Sequence, residues 1–292
     1  MYQQFVVSAI TFIVSLIGIL SNIVLVLAIR KTYSMNGSFG IITKNQAICN
    51  ILTCAIFLVY VFPLQVRYSP PMIHISHYVG NTCMTIYEIS NLSHLLIALN
   101  RFCVLFFQHR YEQLFSNPNT VIMRNYLWIT CIIFCAVCYE FSKCFLKYNP
   151  NHWSFEFENS DFCDSLIWYS DFLFNTGIDI ITLFLNLLTA YKGRKQSRVL
   201  INAAGLKVSA IQRRREWNFV KQTCFQGLSI FTGQVAFYFV APVIDADWVI
   251  AQFIAATFWV FIHAAEGGII LASNGELRAA FKKGISQFIH FT

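Results

Sequence analysis

Seven long apolar runs constrain this chain more than anything else in it. They fall at about residues 5–29, 39–62, 78–107, 126–145, 167–191, 219–241 and 248–272. Each approaches or exceeds the roughly 20 residues that a helix needs to cross a hydrocarbon core about 30 Å thick. In lipid every backbone polar group must be satisfied locally, which a helix achieves and an open strand does not. Composition decides between spans and buried soluble helices. Only 12% of residues are charged and 57% are hydrophobic, against about 25% charged in a soluble domain. So little charge cannot cover a water-facing surface. The expected fold is therefore an all-α membrane protein, a seven-transmembrane helix bundle forming one domain over residues 1–292. The second run is the least apolar, with Lys44, Asn45 and Gln46 near its start, but Lys44 can extend to the headgroups. Pro63 and Pro242 are expected to mark the ends of runs two and six.

Charge sets the orientation. Numbering loops alternately, all but Arg67, Lys143 and Lys147 of the 21 Lys and Arg fall on one side, and that side is expected to be cytoplasmic. Glu156, Glu158, Asp161, Asp164, Asp245 and Asp247 fall on the other. The N-terminus is then outside and the C-terminus inside. The first run has no basic segment ahead of it and is followed at once by Arg30 and Lys31, so it reads as a span and not a cleaved leader. The basic stretch at 192–216 faces anionic lipid or docks a partner; without interleaved aromatics it is no nucleic-acid surface.

Most of the ten cysteines lie inside apolar runs, where a thiol behaves as a small hydrophobe. Only Cys83, Cys144 and Cys163 fall near the outer side, and no Cys/His pattern suggests a metal or other cofactor. Ionisable groups at membrane depth carry more information, because each is costly there. Glu88 precedes Arg101 by 13 residues, about 20 Å at helical rise, and shares a turn with Tyr87 and Asn91 in the outer half. Asp171, Trp259 and His263 join these three as candidate pocket residues, and the acids favour a cationic or hydrogen-bonding ligand. The alternative for each is a hydrogen bond that ties helices together. Asp179, two turns deeper than Asp171, reads as structural. Asn22, Asn50 and Glu266 form a second candidate set, a buried polar network joining spans one, two and seven.

Several motifs recur in known receptors. Gly18 with Ser21-Asn22-Ile23-Val24 is similar to the span-one signature of rhodopsin-like receptors. The string from Ser90 through Asn91, Ser93 and His94 to Asn100-Arg101-Phe102-Cys103 resembles the nematode serpentine chemoreceptors of class X (Srx). So do Gln46-Ala47-Ile48-Cys49-Asn50, the Cys144…Trp153…Phe157…Cys163…Asp171-Phe172 segment, Lys221-Gln222 with Cys224 and Gln226-Gly227, and Trp259 through His263 to Glu266-Gly267. The matches cover about Gly18 to Arg278.

The resemblance implies a chemosensory G-protein-coupled receptor at the plasma membrane, displayed on a sensory cilium. Its partners would be a small-molecule cue and a heterotrimeric G protein. Asn100, Arg101 and Phe102 would form the activation switch at the inner end of span three. Arg213, Arg214, Arg215 and Lys221 would dock the G protein. The resemblance favours a Cys144–Cys163 bridge, worth about 3 kcal/mol for a loop of about 20 residues. The wider superfamily would instead pair Cys163 with Cys83, which lies about 27 Å above Arg101 and slightly inside the outer boundary. Residues 276–283 resemble the short interfacial helix that follows span seven in receptors, with Leu277, Ala280 and Phe281 on one face. Departures are an Ala272-Ser273-Asn274 where the superfamily has an Asn-Pro motif, no span-six Cys-Trp-x-Pro, and an N-terminus shorter than usual.

The competing reading is a ligand-gated channel or small-solute transporter, yet the halves show no repeat and the span count is odd. No enzyme motif occurs among the spans. Span seven has no Lys for a retinal Schiff base.

Overall fold

A computed structural model describes residues 2–204, 227–245 and 248–281. Six helices are long and apolar enough to span a bilayer: α1 (Tyr2–Lys31), α2 (Ser38–Val66), α3 (Ser76–Phe106), α4 (Asn117–Phe141), α5 (Asp161–Lys195) and α7 (Val249–Ser273). Between the last two lies α6, an apolar helix described over Gly227–Val243. The chain is a seven-helix membrane bundle. α3 packs on α2, α4 and α5, while α1 packs on α2 and α7.

The bundle buries polar side chains beside apolar ones and turns many large apolar side chains outward to lipid. On α1 the buried positions include Ser8, Thr11, Ser15, Gly18, Asn22 and Leu25, which recur every three or four residues along one face and are joined by Val7, Ala28 and Ile29. Phe12, Ile13, Ile17, Leu20 and Leu27 are exposed on the others. Small interior residues let the helices approach closely. A Cβ on Gly18 would sit 2.4 Å from Cys54 Sγ and 2.8 Å from Ala264 Cβ, so the α1–α2–α7 junction needs glycine there.

Several helix ends depart from the hydropathy reading, two of them for reasons the local sequence supplies. α4 begins at Asn117, nine residues earlier than expected, because Ser116 caps it and Pro118 occupies its first turn. α2 does not stop at Pro63. It runs to Val66, and the turn before the proline widens to π geometry over Phe57–Val61. Pro63 has no N–H to donate, and the wider turn accommodates that loss. The same widening occurs over Ala136–Phe141 in α4, Trp168–Leu173 in α5 and Ala236–Val240 in α6. All four lie at one end of the bundle.

That end is covered by a hairpin. Strands β1 (Leu146–Asn149) and β2 (Ser154–Phe157) pair antiparallel, with Leu146 opposite Phe157. Asn149 Oδ1 accepts from Asn151 N at 2.9 Å, and Trp153 adopts φ 52° to close the turn. A disulfide joins Cys144 to Cys163, fastening the strand entry to the first turns of α5. Cys83 is a buried free thiol. Gly80 of α3 meets the Leu146 carbonyl so closely that a Cβ would lie 2.0 Å from its oxygen. The hairpin therefore sits directly on the bundle, with Leu146, Tyr148 and Phe155 buried beneath it.

At the opposite end, residues 275–281 form a short helix. Asn274 Oδ1 accepts from the N–H groups of Glu276 and Leu277, and Leu277 is fully buried against Leu25, Ile29 and Ile270. Residues 282 and 283 lie outside the described residues, as do Arg213, Arg214, Arg215 and Lys221.

Candidate functional site

Two cavities are stacked inside the bundle below the hairpin. The upper one holds about 470 Å³ of space, counting its open mouth. Leu146, Phe155 and Phe157 of the hairpin roof it, and Met84, Tyr87, Asp171, Gly233, Gln234, Phe237, Tyr238 and Trp259 form its walls. The lower one, about 350 Å³ with its open side counted in the same way, is lined by Tyr87, Ser90, Asn91, His94, Gln234, Trp259, His263 and Glu266, with Ile230 and Ile262. Tyr87, Gln234 and Trp259 belong to both, so they form the partition. Gln234 Nε2 lies 3.4 Å from the Tyr87 hydroxyl, and Trp259 meets Tyr87 edge to face at 6.3 Å.

The widened turns aim the walls. Asp171 lies within the α5 widening, while Phe237 and Tyr238 lie within that of α6. Regular helix would rotate these side chains by part of a turn relative to the residues below them. The Tyr238 hydroxyl donates to Asp171 Oδ2 at 2.5 Å, and Asn175 Nδ2 donates to Asp171 Oδ1 at 2.8 Å. Asn175 is also a hub. Its Nδ2 donates to Glu88 Oε1 at 2.7 Å, and its Oδ1 accepts from Asn91 Nδ2 at 2.5 Å.

Beneath the partition lies a polar network that joins four helices. His94 Nε2 of α3 stands 2.9 Å from Glu266 Oε1 of α7. Glu266 Oε2 accepts from Asn50 Nδ2 of α2 at 2.7 Å, and its Oε1 accepts from Gln46. Asn50 Nδ2 also reaches Asn22 Oδ1 of α1 at 3.2 Å, and Asn50 Oδ1 is 2.7 Å from His263 Nδ1. Asn22 Nδ2 in turn donates to the Gly18 and His263 carbonyls. Gly267 makes room for this: a Cβ there would lie 2.8 Å from Asn22 Oδ1. Every one of these side chains is buried.

The inner end of α3 is held differently. Asn100 Nδ2 donates to Ser38 Oγ at 2.8 Å, and Ser38 in turn meets the Tyr111 hydroxyl at 2.8 Å. The Arg101 guanidinium lies 4.2 Å over the Phe39 ring of α2. Phe102 stacks on Phe106 at 4.3 Å, and Lys192 of α5 lies 4.0 Å over Phe106.

The structure thus divides the candidates read from sequence. Tyr87, Asp171 and Trp259 line the upper cavity; Tyr87, Asn91, Trp259 and His263 line the lower. Glu88 lies on neither wall. It stands behind Asn175, bonded to that amide. Asn22, Asn50 and Glu266 meet as one network, but Gln46, His94 and His263 belong to it as well. Asn175, Gln234 and Tyr238 were not singled out by sequence reasoning. Helical spacing holds a faint signal for Asn175, four after Asp171, and for the place of Gln46 in the network, four before Asn50, each on a shared face. Among the described residues no cluster of three or more His, Cys, Asp or Glu is placed to hold a metal ion.

Comparison with known proteins agrees with this architecture. The family model for the serpentine type 7TM GPCR chemoreceptor Srx matches residues 12–274. "Serpentine receptor class X 45" of Caenorhabditis elegans is 25% identical, over 93% of this chain and 79% of the relative. "Serpentine receptor class X-43" of the same organism is 24% identical, over 90% of this chain and 82% of its own length. That model spans all seven helices, α1 only from residue 12 onward, and runs through Arg101, the disulfide-tied hairpin and Glu266. The chain is therefore a multi-pass membrane protein of the Srx family of serpentine seven-transmembrane chemoreceptors.

Proposed function

We propose that this chain is a chemosensory receptor that binds an external small molecule in the upper cavity and activates a heterotrimeric G protein from the opposite end. The observation that carries the reading is the arrangement along α3. An open cavity at one end is separated from Arg101 at the other by a polar network that ties α1, α2, α3 and α7 together. A ligand that displaces Trp259 or Tyr87 moves side chains in direct ring contact with His263, at 6.1 Å from each. Rearrangement of that network would change how the four helices are tied to one another, which is what a switch requires.

Two facts support placing the hairpin end outside. Disulfides persist in oxidising compartments, and Cys144–Cys163 lies there. The opposite end carries Arg30, Lys31, Arg101, Lys192 and Arg194, as the positive-inside rule expects. At that end the Arg101 guanidinium rests on the Phe39 ring of α2, so a change in the α2–α3 packing would change what a partner helix meets there.

The test is a cell-surface signalling assay across volatile and soluble cues. Trp259→Ala should abolish or shift the response and Arg101→Ala should uncouple it, both at unchanged surface level. A cue response untouched by Trp259→Ala would remove the cavity from the account.

A further inference from the structure

We propose that the upper cavity takes a small organic cation, an ammonium group held by Asp171 within a cage of aromatic rings. The inference rests on the reading of that cavity as the ligand site and names the class of ligand.

Asp171 is 6% exposed and lines the cavity. Its two hydrogen-bond donors, the Tyr238 hydroxyl and the Asn175 amide, are both neutral. A carboxylate offers about four lone-pair positions, so two remain for a ligand. No Lys, Arg or His stands among the described residues of the wall. Behind it stands a second carboxyl group. The amide that serves Asp171 also serves Glu88, which is 1% exposed and whose Oε2 has no hydrogen-bond partner. One amide divided between two carboxylates cannot neutralise either. Buried charge without a counter-charge is costly, and an entering ammonium supplies what is missing.

The rest of the wall carries a second, independent signal. Six rings surround the space: Tyr87, Phe155, Phe157, Phe237, Tyr238 and Trp259. They come from α3, the hairpin, α6 and α7, so they enclose it from several sides. Phe157 and Phe237 meet edge to face at 6.2 Å, and Phe237 and Tyr238 at 5.2 Å, so the rings of this wall pack on one another around the space. Electron-rich faces around one anion form the environment in which proteins bind ammonium groups. An anionic ligand would meet Asp171 with no basic side chain to receive it. A neutral ligand would leave the carboxylate uncompensated.

The experiment uses the full-length receptor in lipid nanodiscs, with binding read by calorimetry and thermal shift. The probes are tetramethylammonium, choline and 2-phenylethylammonium, each beside an uncharged isostere, with 3-phenylpropanoate as the anion. An ammonium should bind at least roughly thirtyfold tighter than its neutral isostere. Asp171→Asn should erase that preference, while Trp259→Leu weakens every ammonium and keeps the preference. The comparison of isosteres needs no variant, so a poorly folded Asp171→Asn does not blunt it. Equal affinity for neutral isosteres, or no ammonium binding, overturns the proposal. If neutral probes bind and Trp259→Leu weakens them, only the ligand class falls. If probes bind and neither substitution matters, the cavity reading falls with it.

Discussion

The upper cavity and the polar network beneath it are separated by about two turns of α3, from Tyr87 to His94, yet they handle buried charge in opposite ways. In the network, Glu266 is met by His94, Asn50 and Gln46 from two other helices. In the cavity, Asp171 is met only by neutral groups. One region pairs its carboxylate without a ligand and ties the helices together. The other is incomplete and open at its mouth. On the proposed reading the unmet charge would attract the ligand and the rearrangement of the paired one would report it. The widened turns follow the same division, since all four lie at the cavity end and the network rests on regular helix.

The largest effect should come from breaking the paired region. Glu266→Leu strands His94 in the interior, and removing one partner of a buried pair costs about 3–5 kcal/mol. The double variant His94→Leu/Glu266→Leu should recover much of that loss, because it leaves no lone charge. Thermal unfolding in nanodiscs measures both. A single variant as stable as wild type would mean that the network is not charge-paired, and the contrast with Asp171 would lapse.

Next is the hairpin that roofs the unpaired region. Cys144→Ser should lower stability by about 3 kcal/mol in the chain-entropy model and loosen cue binding at the same time. Cys83→Ser should not reproduce this, since Cys83 is a free thiol. A matching loss from Cys83→Ser would transfer the bridge to α3.

The smallest effect concerns the inner end. Asn100→Ala removes a donor to Ser38, worth about 0.5–1.5 kcal/mol. Trp128→Phe, which frees Asn45 Oδ1 from an indole N–H 2.8 Å away, should cost a similar amount. Chemical denaturation of each variant checks these, and values near 3 kcal/mol would mean that the inner end is as tightly held as the network.

Much of this was legible in the chain, for physical reasons that differ by element. The spans show because lipid demands apolar runs of a minimum length. Their ends were read less well. Hydropathy placed the start of α4 near 126, but capping by Ser116 and Pro118 begins it at Asn117. Pro63 looks like a terminus and is passed by a wider turn. Asn22, Asn50 and Glu266 stood out because polar groups are rare at membrane depth. That they meet one another, and that His94 and Gln46 join them, depends on how each helix is rotated. A single sequence does not record that rotation. Glu88 illustrates the limit: its depth was readable, but the side facing Asn175 and not the cavity was not.

The central claim is that a ligand in the cavity acts on a G protein through the bundle. Its most direct test is nucleotide exchange on heterotrimeric G protein, reconstituted with the receptor in nanodiscs and challenged with a cue found active at the cell surface. The account predicts exchange that rises with the cue and is lost in Arg101→Ala and in Trp259→Ala. Cue-gated current or solute flux in receptor-only liposomes, with no exchange on any G protein, would contradict it.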